Sequence, residues 1–88
     1  MVVVRLPSLL AEQAGGQREF AVEAGTVGEA LRALPVVDLL LDERGELRPL
    51  VNVYVDGEDA RLTDGLETAL DSATEVRIIA AVAGGYDD

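Results

Sequence analysis

The C-terminal end of the chain holds the residues whose types and spacing say most about chemistry. The segment Ala81-Val82-Ala83 leads into the pair Gly84-Gly85, and Tyr86-Asp87-Asp88 follow. Six extended residues from Ala80 to Gly85 reach about 20 Å, and glycine has no Cβ atom to obstruct a narrow channel. Such a tail can deliver a terminal carboxylate to another protein's active site, although an ordinary frayed terminus has the same composition.

Side chains that could perform catalysis are scarce in the rest of the chain. The sequence contains no Cys, no His and no Lys. The thiol nucleophile, the commonest general base and the commonest zinc ligand are therefore all missing. The carboxylates and hydroxyls that remain form no recognisable constellation. We therefore predict no catalytic residue, no metal site and no bound cofactor, which argues against an independent enzyme.

The net charge of −10 at pH 7 narrows the choice of partner. Phosphate binding needs clustered cations, whereas the seven Arg are spread along the chain, so the sequence argues against nucleic acid as a partner. An acidic surface suits a partner with a basic groove; equally, acidity simply keeps a small protein soluble. The N-terminal run Met-Val-Val-Val is too short for a signal peptide or a membrane span, which predicts a cytoplasmic protein that does not enter the membrane.

The elements that must carry the tail begin with two strands. The chain of 88 residues is long enough for one domain with a modest, aliphatic core. Val2–Leu6 is a β-branched run ended by Pro7, and alternation from Arg18 to Glu23 predicts a second strand. With a turn at Ala14-Gly15-Gly16, these two segments read as a hairpin.

One helix is expected to follow. Thr26 and Glu29 have the spacing of a capping box, in which two side chains satisfy backbone N–H groups at a helix start. Apolar residues recur at helical spacing over Val27–Leu34, and Pro35 ends the pattern. We predict that this helix packs on a sheet that contains Phe20, Val53 and Ile78.

The second half of the chain completes the sheet. Its pattern predicts a helical turn at Val37–Leu41 that plugs the core, a strand at Val51–Val55, a short edge strand at Ala60–Leu62, a helical turn at Leu66–Leu70 and a last strand at Val76–Ala80. One helix laid across a mixed sheet of four to five strands is an α+β architecture.

Alternation in the strands also predicts a second functional surface. If Val51, Val53 and Ile78 face the helix, the opposite face of the sheet carries Asn52, Tyr54, Arg77 and Ile79, with Val3 and Arg5 beside them. A partly apolar patch with an exposed Tyr and two Arg is a plausible docking surface. The alternative is an ordinary exposed sheet, because isolated surface apolar residues are common.

Two stretches at their observed spacing point to a known family. "VNVYVDGEDAR" (Val51 to Arg61) and "AVAGG" (Ala81 to Gly85) resemble the ubiquitin-like sulfur carriers of the MoaD/ThiS family, and most closely its CysO-type branch. The resemblance covers nearly the whole chain. It implies a β-grasp (ubiquitin-like) domain over 1–83, which includes the start of the tail, and a flexible segment at 84–88.

The resemblance also implies a function. In this family a ThiF/MoeB-like activating enzyme uses ATP and Mg to adenylate the terminal Gly carboxylate, here that of Gly85, and the adenylate becomes a thiocarboxylate. Ala81, Val82, Ala83 and Gly84 would lie in the partner's tunnel. A sulfur-using synthase then consumes the sulfur, and in the CysO-type branch a JAMM-type zinc metallopeptidase releases cysteine. The free carrier is expected to be a monomer.

The chain departs from the family pattern at three places. Most such carriers end at Gly-Gly, whereas Tyr86-Asp87-Asp88 here ties up the Gly85 carbonyl in a peptide bond. Asp71-Ser72-Ala73-Thr74 lacks the Gly common in the turn before the last strand, and Ala80 stands where a Pro is common. We interpret the extension as one that proteolysis removes; the alternative is an inert extension on an inactive paralogue.

Two other functions use the same tail. The first is a protein modifier conjugated through Gly85 to lysines of target proteins, which isopeptide-linked adducts would reveal. The second is a permanent small subunit, as in molybdopterin synthase, which would co-purify with its larger partner.

Overall fold

The computed structural model describes residues 1–71, 74–82 and 85–87. The strands are β1 (Val2–Arg5), β2 (Glu19–Val22), β3 (Val51–Val55), β4 (Glu58–Asp59), β5 (Glu75–Val82) and β6 (Gly85–Asp87). The α-helices are α1 (Ser8–Gln13), α2 (Val27–Arg32) and α3 (Val37–Leu40), and two short 3₁₀ helices lie at Ala60–Leu62 and Gly65–Glu67.

The sheet is mixed because β1 and β5 pair in parallel whereas its other strand pairs are antiparallel. Its order is β2-β1-β5-β3-β4, and β6 pairs with β5 outside this path. β1 and β5 run parallel, with Val3 beside Glu75 and Arg5 beside Arg77, while β3 runs antiparallel to β5. The predicted α+β architecture is confirmed, and β5 is the central strand from which the tail leaves.

The core lies between α2 and the inner face of the sheet. Val27, Ala30 and Leu31 of α2 are fully buried. They pack with Val53 and Ile78 in one aliphatic cluster, against which Phe20 is half-buried. The predicted contact between this helix and this sheet is confirmed.

The N-terminus of α2 has the predicted capping box. Thr26 Oγ1 accepts the N–H of Glu29 at 3.2 Å, and Glu29 Oε1 accepts the N–H of Gly25 at 2.7 Å. The structure also explains the weak helix former Gly28: a Cβ atom there would lie 3.2 Å from the carbonyl oxygen of Leu66. Glycine therefore allows α2 to approach the 3₁₀ helix at Gly65–Glu67 closely.

The N-terminal half contains one element that the sequence reading missed. Between the predicted first strand and turn, Ser8–Gln13 forms α1, which buries Leu10 and Ala11. The helix is six residues long and follows Pro7, so its apolar pattern spans too few turns to be recognised. α2 also ends earlier than predicted, at Arg32 rather than Leu34.

Two further predictions need correction in the second half. The edge strand is Glu58–Asp59, whereas Ala60–Leu62 is a 3₁₀ helix capped by Asp59 Oδ1, which accepts the Arg61 N–H at 2.9 Å. The expected turn at Leu66–Leu70 is a 3₁₀ helix at Gly65–Glu67. The helical turn expected to plug the core is confirmed as α3: Leu40 and Leu41 are buried, although Leu39 is 43% exposed.

Leu31→Ala tests the central position of Leu31. Its side chain is fully buried between α2 and the sheet, so truncation should lower the free energy of unfolding by about 2–5 kcal/mol. Urea denaturation measures the change. Leu62→Ala is the matched control, because Leu62 is 82% exposed and its truncation should cost no more than about 0.5 kcal/mol. Equal losses in the two variants would contradict this account of the core.

Candidate functional site

The tail leaves the domain from the C-terminal end of β5. Ala80 is the last residue of β5 that pairs with β3, where its partner is Val51. Ala83, Gly84 and Asp88 lie outside the described residues, so the predicted tunnel residue Gly84 has no described position. The central strand therefore leads directly into the predicted working end of the chain.

The C-terminal extension is paired with the strand that precedes it. Ala80 pairs with Asp87, Ala81 with Tyr86 and Val82 with Gly85. This edge of β5 is open to β6 because the β1–β5 register ends at Arg77. The resemblance implies that 84–88 is a flexible segment. Gly85–Asp87 form the short strand β6, and the flexibility of the segment stays a prediction.

The outer face of the sheet brings the predicted docking residues together. Tyr54 pairs with Arg77 and Asn52 with Ile79 across β3 and β5, and Arg5 lies beside Arg77 across β1 and β5. None of the predicted docking residues is buried: they are Val3, Arg5, Asn52, Tyr54, Arg77 and Ile79. We call these six residues the outer sheet face. Their placement on one face agrees with the alternation in the sequence.

The two arginines of the outer sheet face differ in their partners. Arg5 Nη1 lies 3.1 Å from Glu19 Oε2, and its Nε forms a second ion pair with Glu75. Among the side chains that the structure describes, Arg77 has neither an ion pair nor a hydrogen bond. Arg77 is thus an available cation in a chain of net charge −10, and it suits a carboxylate on a partner.

Shallow depressions flank Arg77 on both sides. One, of about 280 Å³, extends toward Pro7 and Arg18, and another, of about 390 Å³, extends toward Tyr54 and Gly57. Ile79 also lines both. A partner that covers Arg77 and Ile79 can therefore place side chains in a depression on either side.

Sequence reasoning missed the groups that hold this face in place. Glu19 and Glu75 neutralise Arg5, and Arg61 Nη1 donates to Asn52 Oδ1 at 2.7 Å. In the strand register Glu19 pairs directly with Arg5, and Glu75 pairs with Val3, two residues before Arg5 on the same face. Only that register, which joins both ends of the chain, identifies them as its partners.

The described residues offer no chemistry of their own at these surfaces. They include no group of three or more acidic side chains placed to hold a metal ion. The pKa of the Asp42 carboxyl is lowered, chiefly because it accepts the backbone N–H of Glu46 at 3.0 Å, which secures a surface turn. No helix among these residues has the length and apolar character that crossing a bilayer requires.

A small β-grasp domain with a glycine-rich tail on its central strand defines the ubiquitin-like class of carriers and modifiers. The sequence profile of the ThiS family matches residues 4–85. The chain belongs to the ThiS family of ubiquitin-like sulfur carrier proteins. Like its relatives, it is a carrier rather than an enzyme.

Three similar proteins illustrate the relationship. The sulfur carrier protein CysO of Mycobacterium tuberculosis is 35% identical over 91 residues, which cover 96% of this chain and 98% of the relative. The small archaeal modifier protein 3 of Haloferax volcanii is 44% identical over 64 residues, which cover 68% of this chain and 70% of the relative. The crystal structure of the BexX/CysO complex of Amycolatopsis orientalis contains a chain that is 30% identical, with a TM-score of 0.82; the match covers 97% of this chain and all of that one.

Proposed function

We propose that removal of Tyr86-Asp87-Asp88 frees a Gly85 carboxylate, which is adenylated and then converted to a thiocarboxylate that donates sulfur to a biosynthetic enzyme. The observation that carries the proposal is the end of the family match. The match runs to Gly85 and leaves out the three residues of the extension. Residue 85 is therefore where the shared part of the sequence ends.

The chemistry requires activation because a carboxylate is a poor acyl electrophile. A ThiF/MoeB-like enzyme with ATP and Mg would join the Gly85 carboxylate to AMP and release pyrophosphate. A sulfide donor then attacks the acyl carbon, AMP leaves, and one oxygen of the original carboxylate is replaced by sulfur. The chain supplies the Gly85 carboxylate, whose oxygen attacks the α-phosphorus of ATP and which then becomes the acyl group, together with the surfaces that present it.

The extension makes proteolysis the first step of the proposal. In the full-length chain the Gly85 carbonyl belongs to the peptide bond to Tyr86. Both residues pair with β5, so the peptidase must first draw this bond away from the sheet edge. A JAMM-type zinc metallopeptidase suits the task, because its metal polarises a carbonyl and supplies a hydroxide.

The similarity to CysO proteins bears on which protein the chain docks on and which product receives the sulfur. A CysO chain occurs in complex with BexX, which supports the idea that carriers of this type dock on partner proteins. The resemblance to the CysO-type branch makes cysteine the first candidate product, with a sulfur-using synthase as the acceptor. Another sulfur-containing metabolite is the alternative.

A second candidate function has support of its own. The similarity to small archaeal modifier protein 3 favours a modifier that is conjugated through Gly85. Because this chain has no Lys, it cannot form chains on its own lysines, so its acceptors would be other proteins. Isopeptide-linked adducts in the native cell would support this second function.

The mass of the intact protein tests the proposal. A chain ending at Gly85 is incubated with the activating enzyme, ATP, Mg and sulfide, and the product is weighed. The proposal expects a gain equal to the replacement of one oxygen by one sulfur, and no gain when ATP is omitted. A mass that stays unchanged with the complete mixture would contradict the proposal.

Tyr54→Ala and Arg77→Glu test the outer sheet face as the docking surface for the activating enzyme. Tyr54 supplies rigid contact area and Arg77 an available cation, so each change should weaken binding by about tenfold or more. Titration of the enzyme with each variant measures the dissociation constant. Arg44→Glu is the matched control, because it makes the same charge change in an exposed turn. If both variants bind like this control, docking occurs elsewhere.

A further inference from the structure

An apolar groove lies at the end of the domain from which the tail leaves. It has a volume of about 580 Å³ and is lined chiefly by Leu9, Leu10, Leu39, Pro49, Leu50 and Ala80. We call it the leucine groove. It lies between α1, α3 and the segment before β3, and it contains none of the residues of the outer sheet face.

Three of the four leucines that line this groove are exposed. The large apolar side chains that are exposed among the described residues are Met1, Leu9, Leu39, Leu50 and Leu62. Leu9, Leu39 and Leu50, at 36%, 43% and 60% exposure, all line the groove. In α1 and α3 the next residue, Leu10 or Leu40, is buried, so the core is filled without them. Clustered exposed apolar groups mark an interaction site more often than scattered ones do.

The position of the groove indicates which partner protein would cover it. Ala80 lines the groove, whereas its neighbour Ile79 lies on the outer sheet face. Five extended residues from Ala81 to Gly85 reach only about 17 Å, whereas the domain measures 33 × 25 × 25 Å. An enzyme that holds Gly85 in its active site must therefore bring its surface against this end of the domain. The tail leaves between the two surfaces, and both are within reach of the same partner.

The positive charge of Arg48 in the groove wall indicates which partner side chains would bind in the groove. Arg48 forms part of the groove wall, and its Nε and Nη2 donate to the Asp38 carbonyl oxygen at 3.2 and 3.0 Å. Among the described side chains Arg48 has no ion pair with a carboxylate. An apolar side chain with an acidic neighbour fits this wall. A second copy of the chain fits less well, because two molecules of net charge −10 repel each other.

We infer that the leucine groove is a second docking surface, which receives an apolar side chain with an acidic neighbour from the rim of the enzyme that takes the tail. This inference rests on the proposed function. The outer sheet face and the groove then hold the root of the tail from opposite sides. Contacts of the groove act on association alone, because Gly85 in an extended tail lies about 17 Å beyond Ala80, which lines the groove.

Leu39→Asp and Leu50→Asp test the groove through the kinetics of adenylation. Both side chains are exposed, so folding should survive, and thermal unfolding verifies it. With a chain ending at Gly85 and the ThiF/MoeB-like enzyme, each change should raise KM about tenfold or more and leave kcat within about twofold. Leu62→Asp is the matched control, since Leu62 is an exposed leucine outside the groove; its KM should stay within about twofold of the unmodified chain.

The other outcomes separate the inference from the function on which it rests. If both groove variants match the Leu62→Asp control while the unmodified chain is adenylated, the groove inference is wrong and the carrier function stands. If the unmodified chain is not adenylated, the proposed function itself fails. If the unmodified chain sediments as a dimer that Leu50→Asp dissociates, the occupant is a second copy and the inference is overturned.

Discussion

The full-length chain is expected to gain no sulfur when it is incubated with the activating enzyme, ATP, Mg and sulfide, whereas a chain made to end at Gly85 gains one sulfur atom. Adenylation needs a free carboxylate, and in the full-length chain the Gly85 carbon is held in an amide to Tyr86. Mass spectrometry of both products gives the result directly. A full-length chain that gains sulfur as readily as the short one would refute the precursor hypothesis.

The free carboxylates of the extension cannot replace that of Gly85. Asp87 and Asp88 follow a bulky Tyr, and they carry negative charge into a site that must already hold nucleotide phosphates. Pairing of Gly85–Asp87 with β5 further keeps the backbone of the extension against the domain. Each of these obstacles is absent from the chain that ends at Gly85.

Addition of the peptidase should restore activation of the full-length chain. We expect the JAMM-type metallopeptidase to remove Tyr86-Asp87-Asp88 as one tripeptide, and the trimmed product should then gain sulfur. Chelation of the zinc should block both events. The chain that already ends at Gly85 is the matched control, because neither the peptidase nor the chelator should change its activation.

Gly84→Val, in a chain that ends at Gly85, is expected to abolish most of the activation and leave stability nearly unchanged. A β-branched side chain restricts the backbone and obstructs a tunnel shaped for glycine. A misplaced reacting group can cost about a hundredfold in rate, so we expect a loss of this order in kcat. Single-turnover adenylation measures it, and urea denaturation should give an unfolding free energy within about 0.5 kcal/mol of the unmodified chain.

Gly84→Ala supplies a graded comparison. If obstruction of the tunnel is the cause, the single methyl group of alanine should lower the kcat of adenylation less than valine does. The groove variants provide the contrasting pattern, because they should raise KM and leave kcat unchanged. Normal adenylation of the Gly84→Val chain would refute the tunnel explanation.

The elements that sequence reasoning predicted correctly are those whose signal is local. Helix α2 follows from the spacing of Thr26 and Glu29 and from an apolar face with a period of 3.6 residues. The outer sheet face follows from alternation in β3 and β5. Helix α1 escaped detection because six residues between Pro7 and a glycine turn present less than two turns of pattern.

The remaining features depend on contacts between distant parts of the chain. The ion pair of Arg5 with Glu75 exists because β1 and β5 are neighbours, which no local pattern specifies. The leucine groove likewise requires α1, α3 and the segment before β3 to meet at Ala80. Pairing of the extension with β5 depends on where the β1 register ends. These are properties of the assembled sheet, so a reading of successive segments does not reveal them.

The parallel pairing of β1 with β5 has a consequence for the time at which the carrier becomes competent. β1 pairs with Glu75–Arg77 of β5, which follows β2, β3 and β4 in the chain. The sheet therefore lacks its central strand until β5 has been synthesised, and pairing between segments this far apart in sequence is a slow step in folding. An enzyme that docks on residues of β3 and β5 together thus recognises only chains in which these two strands are already paired.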